Sequence, residues 1–138
     1  MTPLFTAAGT GIAGEKYENV QNGFYQGELV RFEEGPTFPA NDQGPERPMT
    51  RWFWKLYMQD GVTPLIIDGA QVEIDDMTST KTGRNSTAQK WFNAHFKRAA
   101  DTPIGSPEAA MEEAIGKRVN LAVTRKQNGY LKVDVFAL

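Results

Sequence analysis

Arg51, Phe53, Lys55 and Tyr57 alternate cation and ring at every second position of one short segment. On a β-strand, residues two apart share a face, so this spacing sets two charges and two flat π surfaces side by side. That combination suits a polyanion with accessible bases. Bases stack on rings at about 1–3 kcal/mol each, while cations follow the phosphates. The complementary set, Trp52, Trp54, Leu56 and Met58, is apolar and is expected to face the core. A slip of one residue exchanges the two faces, making Trp52 and Trp54 the stacking platform and Phe53 core. A further arrangement packs Phe53 and Tyr57 beneath a helix or the N-terminal residues.

The net charge of −2 counts against binding a polyanion. Affinity for phosphates comes mainly from Lys and Arg, however, and their distribution matters more than the sum. Residues 81–100 carry Lys81, Arg84, Lys90, Lys97 and Arg98 with no acid, and residues 117–132 carry Lys117, Arg118, Arg125, Lys126 and Lys132 with none. Lys81 and Arg84 precede an expected helix, whose N-terminus favours anions. The alternative for that loop is simple capping. Arg118, Arg125, Lys126 and Lys132, with the ring of Tyr130, fall on an expected hairpin that could wall a groove. The alternative for each of these cations is solubility.

Catalytic chemistry finds little support. His95 is the one histidine, and it lies beside an apolar helical stripe. Packing is the better reading there, since histidine metal sites need companions. Glu73, Asp75 and Asp76 are neighbours on an expected strand, so they diverge rather than converge on a cation, and they read as a solvated strand end. No nucleophile–base pattern or phosphate-cradling Gly-Lys-Ser/Thr pattern is present. The expectation is a binding protein with no catalytic residues, metal or cofactor.

The elements that must position these residues follow from periodicity. Gly9, Gly11 and Gly14 make residues 1–22 read as a flexible arm. A first strand spans Gly23–Phe32. Four prolines and two glycines between Gly35 and Met49 predict a long loop. Thr50–Met58 is a strand, Asp60-Gly61 a tight turn, and Leu65–Ile67 with Ala70–Thr78 the returning strand, interrupted at Asp68-Gly69 by a bulge or second turn. Ser86 and Gln89 have capping-box spacing. Ala88, Trp91, Phe92, His95 and Phe96 form one helical stripe. Pro107 opens a second short helix, Glu108–Ile115, which Gly116 stops. Arg118–Lys126 and Tyr130–Phe136 are strands joined at Asn128-Gly129, a type I′ signal.

Three strands, a helix, a second short helix and two strands predict a mainly β domain over residues 23–138. The expected form is a five-stranded antiparallel OB-fold barrel, with a small α+β sandwich as the alternative. A length of 138 residues suits one domain. No apolar run approaches the roughly 20 residues that cross a bilayer, and Met1–Val20 lacks the charge and apolar run of a secretion signal. With no cysteine in the chain, the expected setting is cytoplasmic.

The chain resembles the OB-fold single-stranded-DNA-binding-like proteins of bacteriophages. The resemblance rests on Gly23-Phe24-Tyr25-Gln26-Gly27-Glu28-Leu29-Val30 with Glu33 and Gly35, and on Thr50-Arg51-Trp52-Phe53-Trp54-Lys55-Leu56. It continues through Thr78-Ser79, Gly83-Arg84-Asn85-Ser86 and Lys90-Trp91-Phe92-Asn93-Ala94. It ends on Ile115-Gly116-Lys117-Arg118-Val119 and Asn128-Gly129-Tyr130. It spans about residues 23–137, and the order of the motifs is more specific than any one of them. It implies sequence-tolerant binding of single-stranded DNA, with RNA as an alternative, in phage replication or recombination within the host cytoplasm. A homo-oligomer is compatible with it. Two departures stand out. Val135-Phe136-Ala137-Leu138 carries no acidic tail of the kind by which cellular relatives recruit partners, so recruitment is not expected. The Gln127–Gly129 turn is short, which shifts weight to the strands and the 35–49 segment. The alternative function is an OB-like structural or adaptor module whose Phe53 and Tyr57 bury against a protein.

Overall fold

The computed structural model describes residues 17–138. In chain order the strands are β1 (Gly23–Phe38), β2 (Arg47–Tyr57), the short β3 (Ile66–Ile67) and β4 (Ala70–Gln71), β5 (Glu73–Ser79), β6 (Arg118–Arg125) and β7 (Leu131–Phe136). Helices α1 (Thr87–Phe96) and α2 (Pro107–Ala114) fall between β5 and β6. The fold is mainly β, and its body is a five-stranded antiparallel sheet in the order β5-β2-β1-β6-β7. The sheet is not closed into a barrel. β5 and β7 are its margins, and no ladder joins them among the described residues. The margins meet through a side chain, where the Val133 backbone N–H donates to Asp76 Oδ2 at 2.9 Å.

The inner face carries Trp52, Trp54 and Leu56 of β2, Leu29 of β1, Ile74 of β5, and Val119, Leu121 and Val123 of β6, all buried. α1 covers it with Ala88, Trp91, Phe92 and His95, the expected stripe. The stripe interlocks edge to face with β2: Trp91 lies 5.2 Å from Trp52 and 5.5 Å from Trp54 between ring centroids. Such pairs add roughly 0.5–1.5 kcal/mol beyond the area they bury. Ser86 caps α1 by accepting from the Gln89 N–H, and Gln89 in turn accepts from the Asn85 N–H. Met58, expected in the core, lies past the end of β2 and is exposed.

Several boundaries differ from the expectation. The 35–49 segment is strand at both ends, because β1 runs to Phe38 and β2 starts at Arg47, and only 39–46 is the expected loop. Its prolines are accommodated by a register shift between Glu34 and Thr37, with Pro48 opposite Thr37. A second irregularity between Leu29 and Arg31 leaves Val30 without a partner on β2. It reverses which residues of β1 face outward: Glu28 before it and Arg31 after it share the outer face. Residues 17–22, read as part of a flexible arm, are docked. Val20 is buried in the core, and the Asn22 side chain accepts from the Arg125 backbone N–H. The rest of the expected arm lies outside the described residues. Asp68 and Gly69 both take positive φ and close the β3–β4 hairpin, so they form the second turn. At Asn128-Gly129 only Gly129 is left-handed, which rules out type I′. Asn128 instead uses its side chain to accept from the Tyr130 N–H, while the Gly129 N–H donates to the Lys126 carbonyl. This is the turn-plus-left-handed-glycine form of a longer hairpin loop.

Candidate nucleic-acid interface

The outer face of β2 carries the predicted alternation, and its neighbours decide what each residue can do. Arg51 is half-buried, with Nη1 3.4 Å from Asp75 Oδ2. Phe53 is buried, at 8% exposure, rather than presented to solvent. The bulge after Leu29 aims Arg31 at it, and the guanidinium lies 4.0 Å from the ring centroid. Arg31 is fixed there by Glu33 at 2.7 Å and by Glu73. Tyr57 is half-buried under Arg118, whose guanidinium sits 3.7 Å from its ring centroid. Lys55 lies in register between Glu28 and Glu73. The two rings expected to stack on bases are therefore covered by cations of the chain itself.

Two of the predicted phosphate contacts are engaged internally. Arg118 donates to Glu28 Oε1 at 3.2 Å and to the Gly61 carbonyl at 2.7 Å. Arg125 donates to the carbonyls of Gly129, Tyr17 and Val20. Lys132 is exposed on β7, 3.9 Å from Asp134. Lys81 is exposed in the loop after β5. Arg84 lines a cleft of about 640 Å³ with Asn85, Gln89 and Asp101 beside the α1 N-terminus. That terminus is already capped by Ser86, so the capping reading accounts for the loop.

Arg51, Lys126 and Tyr130 converge. They line a cleft of about 470 Å³ over the seam between β5 and β7. Pro36 and Phe38, from the end of β1, line it. So do Lys126, Asn128 and Tyr130, from the β6–β7 turn, and Arg51, Asp75 and Met77, from β2 and β5. Tyr130 keeps 39% of its surface exposed, and Lys126 is exposed. Tyr17 also lines the cleft, and its hydroxyl donates to Asp75 Oδ1 at 2.5 Å. Burial, reinforced by that bond to a carboxylate, pushes the Tyr17 phenol well above its usual range. Asp76 reaches the cleft from the inner rim. Burial pushes its carboxyl up, opposed by the N–H donors of Val133 and Met77.

Asp75 and Asp76 thus diverge as expected, but they are not solvated: each is built into the seam or the cleft wall. Phe38, Met77 and Tyr17 were not legible as site residues. Phe38 is hidden in a proline-rich stretch with no periodicity, and Tyr17 in a glycine-rich one. No signal in the sequence marks Met77.

His95, read as packed, is buried. The Trp54 indole N–H donates to its Nε2 at 3.1 Å, so Nδ1 carries the proton and donates to the Trp91 carbonyl at 2.7 Å. Among the described residues no helix is long and apolar enough to cross a membrane. No protein-family model matches the chain, and no curated protein is significantly similar to it.

Proposed function

We propose that the chain is an OB-fold protein that binds single-stranded DNA in the cleft over the β5–β7 seam. The observation that carries this reading is the convergence of Phe38, Tyr130, Arg51 and Lys126 on one open cleft. The rings of Phe38 and Tyr130 line the cleft and offer faces for a base, and the exposed Lys126 suits a phosphate, while the Arg51 charge is met by Asp75. The sheet order also supports an OB fold: a long β1 pairs with both β2 and β6, the helices intervene before the last hairpin, and the two margins face each other at Asp76. Tyr130 replaces Phe53 and Tyr57 as the leading stacking ring, with Phe38, whose ring lies 5.5 Å from the Arg47 guanidinium, beside it. The setting, phage DNA replication or recombination in the host cytoplasm, follows from the resemblance of the motifs.

The test is titration of a fluorescent oligo-dT against the protein at a series of salt concentrations. Affinity should fall steeply with salt, with a slope of log affinity on log salt of about −0.7 per phosphate contacted. Absence of binding at low salt would sink the reading.

One observation favours a second reading, an adaptor that docks a protein. Phe24 and Phe136 are 64% and 53% exposed on β1 and β7, on either side of β6, where Phe24 pairs with Ala122 and Phe136 with Asn120. An apolar contact through this pair would be nearly insensitive to salt, which separates it from the first reading.

A further inference from the structure

One guanidinium ties together two segments that are distant in sequence and adjacent at the cleft. Arg125 Nη1 donates to the Gly129 carbonyl at 2.6 Å, and Nη2 donates to the carbonyls of Tyr17 at 2.6 Å and Val20 at 3.1 Å. Its side chain is partly buried, and three main-chain carbonyls are among its partners. Carbonyl partners fix the geometry of the segments that carry them. The planar fork of arginine can serve carbonyls on two segments at once, which a lysine ammonium on a flexible stem does poorly. Both segments are walls of the cleft: Tyr17 lines it, as do Lys126, Asn128 and Tyr130. Tyr17 then passes the constraint to the floor. Its hydroxyl holds Asp75 Oδ1, and Asp75 Oδ2 faces Arg51 Nη1.

We propose that Arg125 is the positioning residue of the single-stranded-DNA cleft: it locks the 17–20 segment and the 126–130 turn into one wall and so sets where Tyr130 and Lys126 meet the strand. This inference rests on the nucleic-acid reading above. It makes Arg125 a residue that touches no phosphate, and that difference is measurable. It also makes residues 17–20 part of the site, through the backbone of Tyr17 and the bond from its phenol to Asp75.

The experiment is an oligo-dT titration across a salt series with the wild type, Arg125→Ala, Arg125→Lys and Lys126→Ala. Each variant is held at a temperature where its near-ultraviolet tryptophan circular dichroism is that of the wild type. Arg125→Ala and Arg125→Lys should both lose affinity by about five- to a hundred-fold, the range of one misplaced base stack. Their salt slope should match the wild type, whereas Lys126→Ala should lower it by about 0.7. A double-mutant cycle supplies the readout that a merely structural role would not move. Tyr130→Ala should cost far less affinity in the Arg125→Ala background than in the wild type, while Phe38→Ala should cost the same in both. If Arg125→Ala is too unstable to assay, Arg125→Lys carries the same comparisons. A slope lowered by about 0.7 in the Arg125 variants, wild-type affinity in them, or additive Tyr130 and Arg125 effects would each overturn the inference while leaving the nucleic-acid reading standing. A wild type that binds no oligo-dT at low salt would overturn both.

Discussion

The Trp54 indole donates its one hydrogen bond to His95 Nε2, 3.1 Å away in the buried core, and the rings lie nearly parallel with centroids 6.3 Å apart. That bond requires an unprotonated Nε2. Burial lowers the His95 pKa to about 4 from 6.5, against the opposing pull of the Trp91 carbonyl. The folded chain therefore resists a proton that the unfolded chain accepts. Stability from this group is complete above pH 6.5 and is lost as pH falls from 6.5 towards 4. The loss should reach about 3 kcal/mol, at about 1.4 kcal/mol per pH unit. Denaturant unfolding at pH 7 and pH 4 measures it, and His95→Gln should remove this component. The raised carboxyl of Asp76 acts in the opposite sense, so the difference between wild type and His95→Gln is the quantity to compare.

Phe53 and Tyr130 should separate stability from binding. Phe53 is buried under Arg31, so Phe53→Ala should cost about 3 kcal/mol of stability, the lower end for a buried phenylalanine. Tyr130→Ala should leave the melting temperature near that of the wild type and weaken oligo-dT binding by about five- to a hundred-fold. Paired melts and titrations check both. A Phe53→Ala protein that melts normally and binds poorly would restore Phe53 to the binding face.

Gly27 is required by close approach. A Cβ there would stand 2.4 Å from Leu121 Cδ1 and 3.1 Å from Trp54 Cβ. Leu121 and Trp54 are fully buried and have little room to yield. Gly27→Ala should therefore cost about 1–3 kcal/mol, the usual effect of overpacking. Pairing it with Leu121→Ala should relieve part of the strain, and a denaturant melt of the double variant tests that coupling.

Removing residues 1–20 should destabilise the domain, because it deletes the buried Val20 and two of the carbonyls that Arg125 holds. Val20→Ala alone should cost about 1–2 kcal/mol, on the scale of two buried methyl-sized groups. Thermal melts of both proteins provide the check. An unchanged melting point after the deletion would show that the docked segment contributes nothing.

The β2 core face and the α1 stripe were legible because each obeys a single period: two for Trp52, Trp54 and Leu56, and 3.6 for Ala88, Trp91, Phe92 and His95. The cover over Phe53 was not legible. It depends on one unpaired residue, Val30, which changes the parity of β1 and turns Arg31 outward. No count of alternating residues on β2 can register a bulge on its neighbour. The cleft was half legible. Tyr130 and Lys126 declare themselves by type beside a turn signal. Phe38 comes to the site because a proline-rich segment pairs as strand across a register shift, a tertiary outcome with no local pattern. Arg125 was noticed as a charge, but the partners that tie the two segments together are carbonyls, which every residue has and no sequence distinguishes.

The contact between Asp76 and Val133 turns the sheet into a split ring. A closed ladder joins two strands bond by bond, whereas here a single carboxylate makes the hydrogen-bonded link that is seen between the margins. The cleft sits across that link, with Lys126 and Tyr130 carried by the β6–β7 limb and Arg51 by the opposite limb. Whatever occupies the cleft therefore lies over the hydrogen bond that joins the two margins.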